Sequence, residues 1–350
     1  MYSDEGKPTK TSIDALHLNS TIKNKCNTLL NKESHLKYII KQMNKVLPID
    51  YSMLIPWVGA WMSNGLYVIL GREAFYSSLA SGEIHKLHKI ANQIINLQGK
   101  GTGVSGGEGQ LPNLGNTYAA LVLLRTLNRL DEIDKKGVIS FIKEMKVEAG
   151  FTMYKDGEVD PRSIYCAVAS YSILFSEEIK TKSQFNPLQT EEGKEIFSEL
   201  PEIVGNLQTY EGGFAASPGE EAHGGYTYCA IAALKILESE IPNENLLKKW
   251  LLDRQDAITH GFNGRTNKGV DSCYNFWVGA CFKMIGLPIY SDEGLVRYTL
   301  SNCQDENGGV KNIPESRPDI YHTAYALLGL YIINESDFNC ILGLPVQMNM

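Results

Sequence analysis

Three side chains in the last third of the sequence have the types and spacing of a transition-metal site. Asp271 and Cys273 supply a carboxylate and a thiol, and His322 supplies an imidazole about fifty residues later. Three protein ligands with an open fourth position are typical of catalytic zinc, because structural zinc is usually held by four. The open position would let the ion bind and acidify a substrate atom. The alternative is a buried cysteine, Cys273, beside a helix-capping Asp271.

Basic side chains lie directly before this motif. Arg265 and Lys268 fall in a glycine-containing loop, and a guanidinium beside an ammonium suits a diphosphate. His223 and Tyr274 would add hydrogen-bond donors. A solvated loop is the alternative interpretation. The glycines at 101–109 match neither a P-loop nor a dinucleotide-binding fingerprint, so a nucleotide site is disfavoured.

Aromatic side chains form the third feature. Six of them fall near the predicted starts of small-residue helices or on an early predicted helix, namely Trp57, Trp61, Tyr165, Tyr226, Trp277 and Tyr325. Any one of them would fit an ordinary core. Together they predict an apolar tunnel for a long hydrocarbon. A further histidine pair, His85 and His88, is expected on a helix surface.

An internal repeat organises the chain. Five segments join a glycine-containing turn to a small-residue helix with a tyrosine, and these tyrosines are Tyr118, Tyr165, Tyr228, Tyr274 and Tyr325. A period of roughly 45–50 residues predicts helical hairpins. The helix after each tyrosine is apolar almost all round and the intervening helix is amphipathic, which predicts a buried inner layer and an outer layer. The expected fold class is all-α, an α/α toroid of about six helical hairpins, with an open α-solenoid as the alternative.

The repeat also predicts where the chemistry lies. The glycine-containing loops precede the inner helices, so the helix N-termini would meet at one end and present free N–H groups to an anion. The residues that fall at this junction on successive repeats are Arg162, His223, Asp271, Cys273 and His322. Gln208 and Gln304 each precede a glycine pair by four residues, which strengthens the repeat.

Composition excludes several classes of protein. The 350 residues are 43% hydrophobic and 21% charged, with a net charge of -7. This balance indicates a folded protein without a nucleic-acid-binding surface, and no apolar run is long enough to span a membrane. The seven cysteines are scattered and odd in number, which indicates a reducing compartment and a cytoplasmic location. We expect an N-terminal extension at 1–34 and one domain at 35–350.

These motifs resemble the β subunits of protein farnesyltransferases over about residues 36–343. The resemblance implies an α/α toroid, one zinc ion and an obligate helical-repeat α subunit. It rests on Gly106-Gly107-Glu108-Gly109-Gln110, Arg162-Ser163 with Tyr165-Cys166-Ala167, Glu221-Ala222-His223-Gly224-Gly225-Tyr226-Thr227, Gly264-Arg265 with Asn267-Lys268, Val270-Asp271 with Cys273-Tyr274, Phe276-Trp277 and Tyr321-His322-Thr323.

The resemblance also implies a reaction and a role for each residue. Farnesyl would pass from farnesyl diphosphate to the cysteine of a C-terminal CaaX motif, in proteins such as small GTPases, through a zinc-bound thiolate. The zinc ligands would be Asp271, Cys273 and His322. The diphosphate would be held by His223, Arg265, Lys268 and Tyr274, the last two also assisting catalysis. The isoprenoid cavity would be lined by Arg162, Tyr165, Tyr226, Cys229, Trp57 and Trp277. The residues facing the substrate tetrapeptide would be Tyr321, Trp57 and Trp61.

The length of the transferred lipid follows from the cavity floor. In this family a tryptophan and a tyrosine close the floor of farnesyl enzymes, and smaller side chains stand there in geranylgeranyl enzymes. Trp57 and Tyr325 occupy the matching places, which favours farnesyl. A protein geranylgeranyltransferase type I β subunit is the alternative.

Two departures from the family pattern leave questions open. Asn312 stands where farnesyl enzymes place an aspartate thought to bind magnesium, and an amide is a weak magnesium ligand. A Mg²⁺ requirement therefore stays open, with the neighbouring Lys311 as an alternative charge for the leaving group. Leu54, Gly115 and Asn116 also depart from the usual pocket for the last substrate residue, so its preference stays open.

Two other classes of protein give different expectations. A non-catalytic helical-repeat scaffold would bind neither zinc nor a diphosphate. A terpene cyclase would share the repeats and the barrel, but such enzymes use clustered aspartates, and no Asp-Asp pair occurs in this sequence.

Overall fold

The computed structural model describes residues 29–45, 52–82, 84–175 and 184–346. Its α-helices are, in chain order, α1 Lys32–Met43, α2 Ile55–Leu70, α3 Arg72–Ser81, α4 Lys86–Asn96, α5 Leu114–Thr126, α6 Lys135–Glu144, α7 Pro161–Phe175, α8 Glu191–Phe197, α9 Leu200–Gly205, α10 Gly224–Ile236, α11 Glu244–Leu252, α12 Tyr274–Trp277, α13 Gly279–Met284, α14 Asp292–Tyr298 and α15 Ile320–Asn334. Two antiparallel pairs of short strands join them, β1 Lys146–Val147 with β2 Gly150–Phe151 and β3 Phe338–Asn339 with β4 Leu344–Pro345.

Most of the predicted N-terminal extension lies outside the described residues. The first helix, α1, begins at Lys32 and so includes the last residues assigned to that extension. The division at 34/35 stays a prediction.

Six inner positions form a closed ring of helices. α2, α5, α7, α10 and α15 are buried on nearly every side, as the all-round apolar pattern predicts. The short pair α12–α13 fills the sixth position, with a break at Val278. Successive inner helices pack on one another, and α15 packs back on α2. The ring confirms the toroid and excludes an open solenoid.

The outer helices each bury one stripe against this ring. In α6 the buried apolar residues are Val138, Phe141 and Ile142, and in α11 they are Leu247, Trp250 and Leu251. Spacings of three and four residues place such side chains on one face of a helix. The amphipathic pattern in the sequence therefore predicted the outer layer correctly.

Glutamine side chains join four of the loops to the next outer helix. The amide oxygens of Gln98, Gln208, Gln255 and Gln304 accept the backbone N–H of Asp134, Asn243, Ser291 and Asn31, respectively, at 2.8–3.0 Å. Each acceptor contact falls on the residue that caps the following helix. The last contact joins the end of the repeat to its beginning. The sequence had marked Gln208 and Gln304 as part of the repeat but had not predicted this contact.

The inner helices all begin at the same end of the toroid. The backbone N–H groups at 55, 114, 224 and 272 donate to the carbonyls of 106, 153, 264 and 312, respectively, at 2.8–3.0 Å. Each bond therefore joins the start of one inner helix to the loop before the next. We call this the entry end.

The opposite end is closed by the residues that follow α15. Residues 335–346, here called the C-terminal plug, include the β3–β4 hairpin, whose tip enters the ring. The hydroxyls of Tyr118, Tyr165 and Tyr228 donate to the carbonyls of residues 342, 341 and 340 at 2.9–3.0 Å. Tyr274 instead lies at the entry end, beside His223. The five repeat tyrosines are therefore not equivalent, contrary to the sequence alignment.

Candidate active site

The three predicted metal ligands come together at the entry end. Cys273 directly precedes α12 and His322 lies in the first turn of α15. Ligand atoms of Asp271, Cys273 and His322 all lie within 4.8 Å of one another. Asp271 Oδ1 is 3.4 Å from His322 Nε2, and two ligands about 2.1 Å from a tetrahedral ion would be separated by roughly that distance. The donor set and its spacing therefore fit zinc.

A fourth side chain orients the imidazole of the trio. Asp319 caps α15, and its Oδ1 accepts the backbone N–H of His322 at 2.8 Å. Its Oδ2 lies 2.6 Å from His322 Nδ1. A carboxylate on the outer nitrogen of a ligating histidine fixes the tautomer that leaves the inner nitrogen free for a metal. Sequence reasoning missed Asp319, whose position three residues before His322 was the available signal.

The protonation of the trio would change on binding a metal. Burial lowers the pKa of His322, but Asp271 and Asp319 outweigh it and raise this pKa to about 9. Burial and the neighbouring Asp271 carboxylate raise the pKa of the Cys273 thiol well above its ordinary value. A metal ligand must be a thiolate or a neutral imidazole, so binding of an ion would release protons from both groups.

Four potential donors to an anion lie next to the trio, namely His223, Tyr274, Arg265 and Lys268, and we call them the anion group. His223 caps α10, and its Nδ1 accepts the N–H of Gly225 at 3.0 Å. Its Nε2 therefore carries the proton in the neutral ring and lies 3.0 Å from the Tyr274 hydroxyl. Burial and the charges of Arg265 and Arg162 lower the pKa of His223 to about 4. Because His223 donates to Tyr274, the Tyr274 hydroxyl is free to donate its own proton to a ligand.

The two predicted loop cations lie on the solvent side of this group. Arg265 is half-buried and contacts Glu221 at 3.4 Å. Lys268 is exposed, and within the described ranges its ammonium has no hydrogen-bond or ion-pair partner. Exposed, loosely paired cations next to buried donors leave positive charge available to an anion.

Arg162 is fixed by a buried carboxylate. Asp160 contacts the Arg162 guanidinium at 2.5–3.0 Å and is itself buried. This hydrogen bonding raises the pKa of Arg162 despite partial burial. The guanidinium also lies 5.6 Å from the ring centre of Tyr226. Arg162 lines the central cavity, whereas Tyr226 packs on Arg162 and His223 rather than on the cavity wall.

A cavity of about 430 Å³ occupies the centre of the ring. Its size is typical of a site for a small organic ligand. Of the predicted lipid and peptide residues, the following line it: Trp57, Trp61, Arg162, Tyr165, Cys229, Trp277, Tyr321 and Tyr325. Leu54, Gly115 and Asn116 also lie in its wall, and Gly343 of the C-terminal plug does too.

Aromatic rings contact one another along the cavity wall. Trp277 and Tyr325 have ring centres 4.3 Å apart, and Trp57 lies 5.8 Å from Trp61. Tyr321 receives a hydrogen bond from Trp277 Nε1 at 3.0 Å. The wall also contains Asn64, whose amide donates to the Gly343 carbonyl at 3.0 Å. No sequence motif pointed to Asn64.

The remaining sequence candidates lie in other environments. Lys311 forms an ion pair with Asp305 at 3.2 Å, so a carboxylate already balances its charge. The Asn312 carbonyl accepts the N–H of Ser272 beside the metal trio. His85 is exposed at the start of α4 and His88 is half-buried on the same helix, as predicted for a helix surface.

Comparison with known sequences gives a consistent family. Residues 30–349 match the family described as "Prenyltransferase alpha-alpha toroid domain". The chain is 35% identical over 317 residues to a protein farnesyltransferase subunit beta of Schizosaccharomyces pombe, covering 86% of this chain and 77% of that one. It is 36% identical to the Saccharomyces cerevisiae subunit of the same name, covering 89% and 70%. It is also 34% identical to a geranylgeranyl transferase type-1 subunit beta of Arabidopsis thaliana, covering 67% and 63%.

Solved structures share the fold at lower identity. Candida albicans protein geranylgeranyltransferase-I complexed with GGPP matches with a TM-score of 0.68 and 23% identity, over 90% of this chain and 96% of that one. A type II terpene cyclase, MstE of Scytonema, matches with a TM-score of 0.55 and 12% identity, over 91% and 97%. Both confirm the α/α toroid. No helix within the described ranges has the length and apolar character needed to cross a membrane.

Proposed function

The chain belongs to the prenyltransferase α-α toroid family, and we propose that it is the catalytic β subunit of a zinc-dependent protein farnesyltransferase. The reaction would join C1 of farnesyl diphosphate to the sulfur of a cysteine near the C-terminus of a protein, in a CaaX motif, and release diphosphate. The observation that carries the proposal is the adjacency of the Asp271-Cys273-His322 trio and the anion group at the entry end, next to an aromatic-walled cavity in the centre of the ring.

Different residues would bind the diphosphate and the hydrocarbon of the lipid substrate. Arg265, Lys268 and Tyr274 would stabilise the negative charge that develops on the leaving diphosphate, because they present donors on one side of the site. His223 would keep the Tyr274 hydroxyl turned toward that charge. The cavity would hold the hydrocarbon, with about 0.8 kcal/mol gained per buried CH₂.

The metal trio has a different part. Asp271, Cys273 and His322 would hold zinc, with Asp319 fixing the imidazole. When bound, zinc would supply a site for the substrate sulfur and lower the pKa of its thiol.

The identity of the lipid is the finer part of the proposal. Trp57 and Tyr325 both line the cavity, and large rings at these places would shorten the space for a lipid. Farnesyl therefore fits better than an isoprenoid with five more carbons. A geranylgeranyl enzyme is the second candidate, because a relative with that name matches at similar identity.

Co-expression with a candidate α subunit tests the proposal as a whole. We expect the heterodimer, which we propose to be cytoplasmic, to transfer farnesyl to a CaaX peptide. If a heterodimer that contains zinc transfers neither farnesyl nor geranylgeranyl from its diphosphate, the proposal is contradicted.

Trp57→Thr tests the choice of lipid. Removing the indole lengthens the cavity, so we expect the kcat/KM ratio for geranylgeranyl over farnesyl diphosphate to rise at least tenfold. Trp57→Phe is the matched control, because it keeps an aromatic ring in place and should leave the preference for farnesyl. An unchanged ratio in Trp57→Thr would remove Trp57 from the cavity floor.

A further inference from the structure

The loop at residues 264–268 carries two cations but does little to fix them. The Arg265 side chain has one carboxylate contact and Lys268 is exposed. Asn267 adopts a φ of 60°, a left-handed conformation that few side chains favour. The position of the two charges therefore depends on what holds the loop backbone.

The inner side of the loop is fixed at Gly264. Its carbonyl accepts the N–H of Gly224 at 2.8 Å. A Cβ at position 264 would lie 2.1 Å from the Tyr274 hydroxyl oxygen, so only glycine allows this approach. Gly264 therefore packs directly against Tyr274 of the anion group.

The outer side of the loop is held by Arg254, a residue with no assigned role. Its Nη2 donates to Thr266 Oγ1 at 3.2 Å, and its Nε donates to the Trp250 carbonyl at 3.1 Å. The guanidinium lies 4.5 Å from the ring centre of Trp250. The Arg254 carbonyl accepts the N–H of Asn263, the residue directly before the loop. Arg254 thus contacts the loop and the residue before it through both its side chain and its backbone.

The charge of Arg254 is costly to the fold. The residue is 3% exposed, and its guanidinium makes no ion pair with any carboxylate of the described residues. Its Nη1 has no hydrogen-bond partner. A buried, unpaired charge destabilises a protein, and an apolar side chain of similar size often packs there better. The presence of arginine at this place calls for a compensating role.

We propose that Arg254 is a positioning residue for the diphosphate, acting through Thr266 to hold the loop that presents Arg265 and Lys268. The inference rests on the proposed function, since it assumes that the loop binds a diphosphate. In this proposal Arg254 does not contact the diphosphate. It fixes the position of Arg265 and Lys268, which would bind the diphosphate.

The test measures binding of two ligands to the purified heterodimer. Farnesyl diphosphate uses the loop, whereas farnesol shares its hydrocarbon and lacks the diphosphate. We expect Arg254→Met to weaken farnesyl diphosphate about tenfold, equivalent to about 1.4 kcal/mol, with farnesol affinity and zinc content unchanged. Thr266→Val should weaken farnesyl diphosphate by several-fold, and the double variant should be no weaker than Arg254→Met, because both changes break one contact.

Lys249→Met is the matched control. Lys249 and Arg254 line the same surface pocket, so the substitution removes the same charge without removing the contact to Thr266. We expect it to change the affinity for farnesyl diphosphate less than twofold.

Three results would overturn the inference: equal weakening of farnesol and farnesyl diphosphate, an effect of Lys249→Met as large as that of Arg254→Met, or unchanged affinity in both Arg254→Met and Thr266→Val. A wild-type heterodimer that binds no farnesyl diphosphate would instead contradict the proposed function.

Discussion

The two ends of the toroid satisfy their polar groups in opposite ways. At the plugged end, the hydroxyls of Tyr118, Tyr165 and Tyr228 each have a backbone carbonyl as acceptor. At the entry end, Lys268 is exposed and the trio around Cys273 holds protons that a metal would displace. At the plugged end the polar groups are thus paired within the protein, whereas at the entry end they are available to ligands.

The difference teaches where stability and activity lie. Buried polar groups that are paired within the protein contribute to a unique fold. Groups held ready for a ligand cost stability, which is regained on binding. Substitutions at the plugged end should therefore change the free energy of unfolding, and substitutions at the entry end should change binding and catalysis.

Removing a cation at the entry end should have the largest effect. Under the proposed function, Arg265→Ala would delete a donor to the leaving group, and loss of one such donor costs about 100-fold or more in rate. We expect kcat/KM for farnesyl diphosphate to fall by that factor at unchanged zinc content. Lys194→Ala, which removes an exposed cation paired with Glu191 on the outer layer, is the control. A less than threefold loss in Arg265→Ala would exclude Arg265 from the anion group.

Asp319→Asn should weaken metal binding without breaking the helix start. The amide can still cap α15 through its oxygen but cannot polarise the imidazole as a carboxylate does. We expect a 10- to 100-fold rise in the zinc dissociation constant, measured by chelator competition. If zinc affinity is unchanged, His322 is oriented by something other than Asp319.

Tyr228→Phe should lower stability and leave the zinc site intact. It leaves the carbonyl of Cys340 without its donor, at a cost of about 1–3 kcal/mol in the free energy of unfolding. Urea denaturation measures this cost, and Tyr290→Phe, at an exposed position, is the control. Zinc content should stay at the wild-type level. Loss of zinc in Tyr228→Phe would show that the two ends are coupled.

The smallest effect concerns pH and the joint between the first and last repeats. His35 is buried, with Nδ1 accepting the Gly309 N–H and Nε2 bonded to Gln304. Burial lowers its pKa below the ordinary 6.5, against the opposing influence of Gln304 and Asp305. The folded state therefore binds fewer protons than the unfolded state, and the contribution is full above about pH 6.5 and is lost as the pH falls toward the folded value.

His35→Asn tests this joint. It removes the titrating group, so the unfolding free energy of the wild type should fall more steeply below pH 6.5 than that of the variant. Parallel pH profiles for the two proteins would mean that His35 does not titrate on unfolding.

Much of the fold was predictable because its signals are local. The apolar inner helices and amphipathic outer helices follow from periodicity within single helices. The sequence pattern did not identify Gln98 and Gln255, because neither precedes a glycine pair by four residues. Both nevertheless make the same contact as Gln208. The equivalence assigned to Tyr274 was wrong because Phe276 occupies the position that matches Tyr228, and a tyrosine two residues earlier on the helix points to a different neighbour.

The metal trio was predictable from residue chemistry, and its surroundings were not. Asp271, Cys273 and His322 are types that few structural roles require together. Asp319 is an ordinary helix-capping residue in sequence, and only the folded helix brings its second oxygen to the imidazole. Arg254 contacts Thr266 across a turn, and nothing in the sequence distinguishes it from a surface arginine.

The most direct test measures zinc and farnesyl transfer in the same preparations of the heterodimer. We predict one zinc per wild-type heterodimer, and loss of both zinc and transfer in Cys273→Ala. Cys281→Ala, at a buried cysteine outside the trio, should retain both. Stoichiometric zinc and wild-type transfer in Cys273→Ala would contradict the assignment of the entry end as a zinc-dependent transferase site.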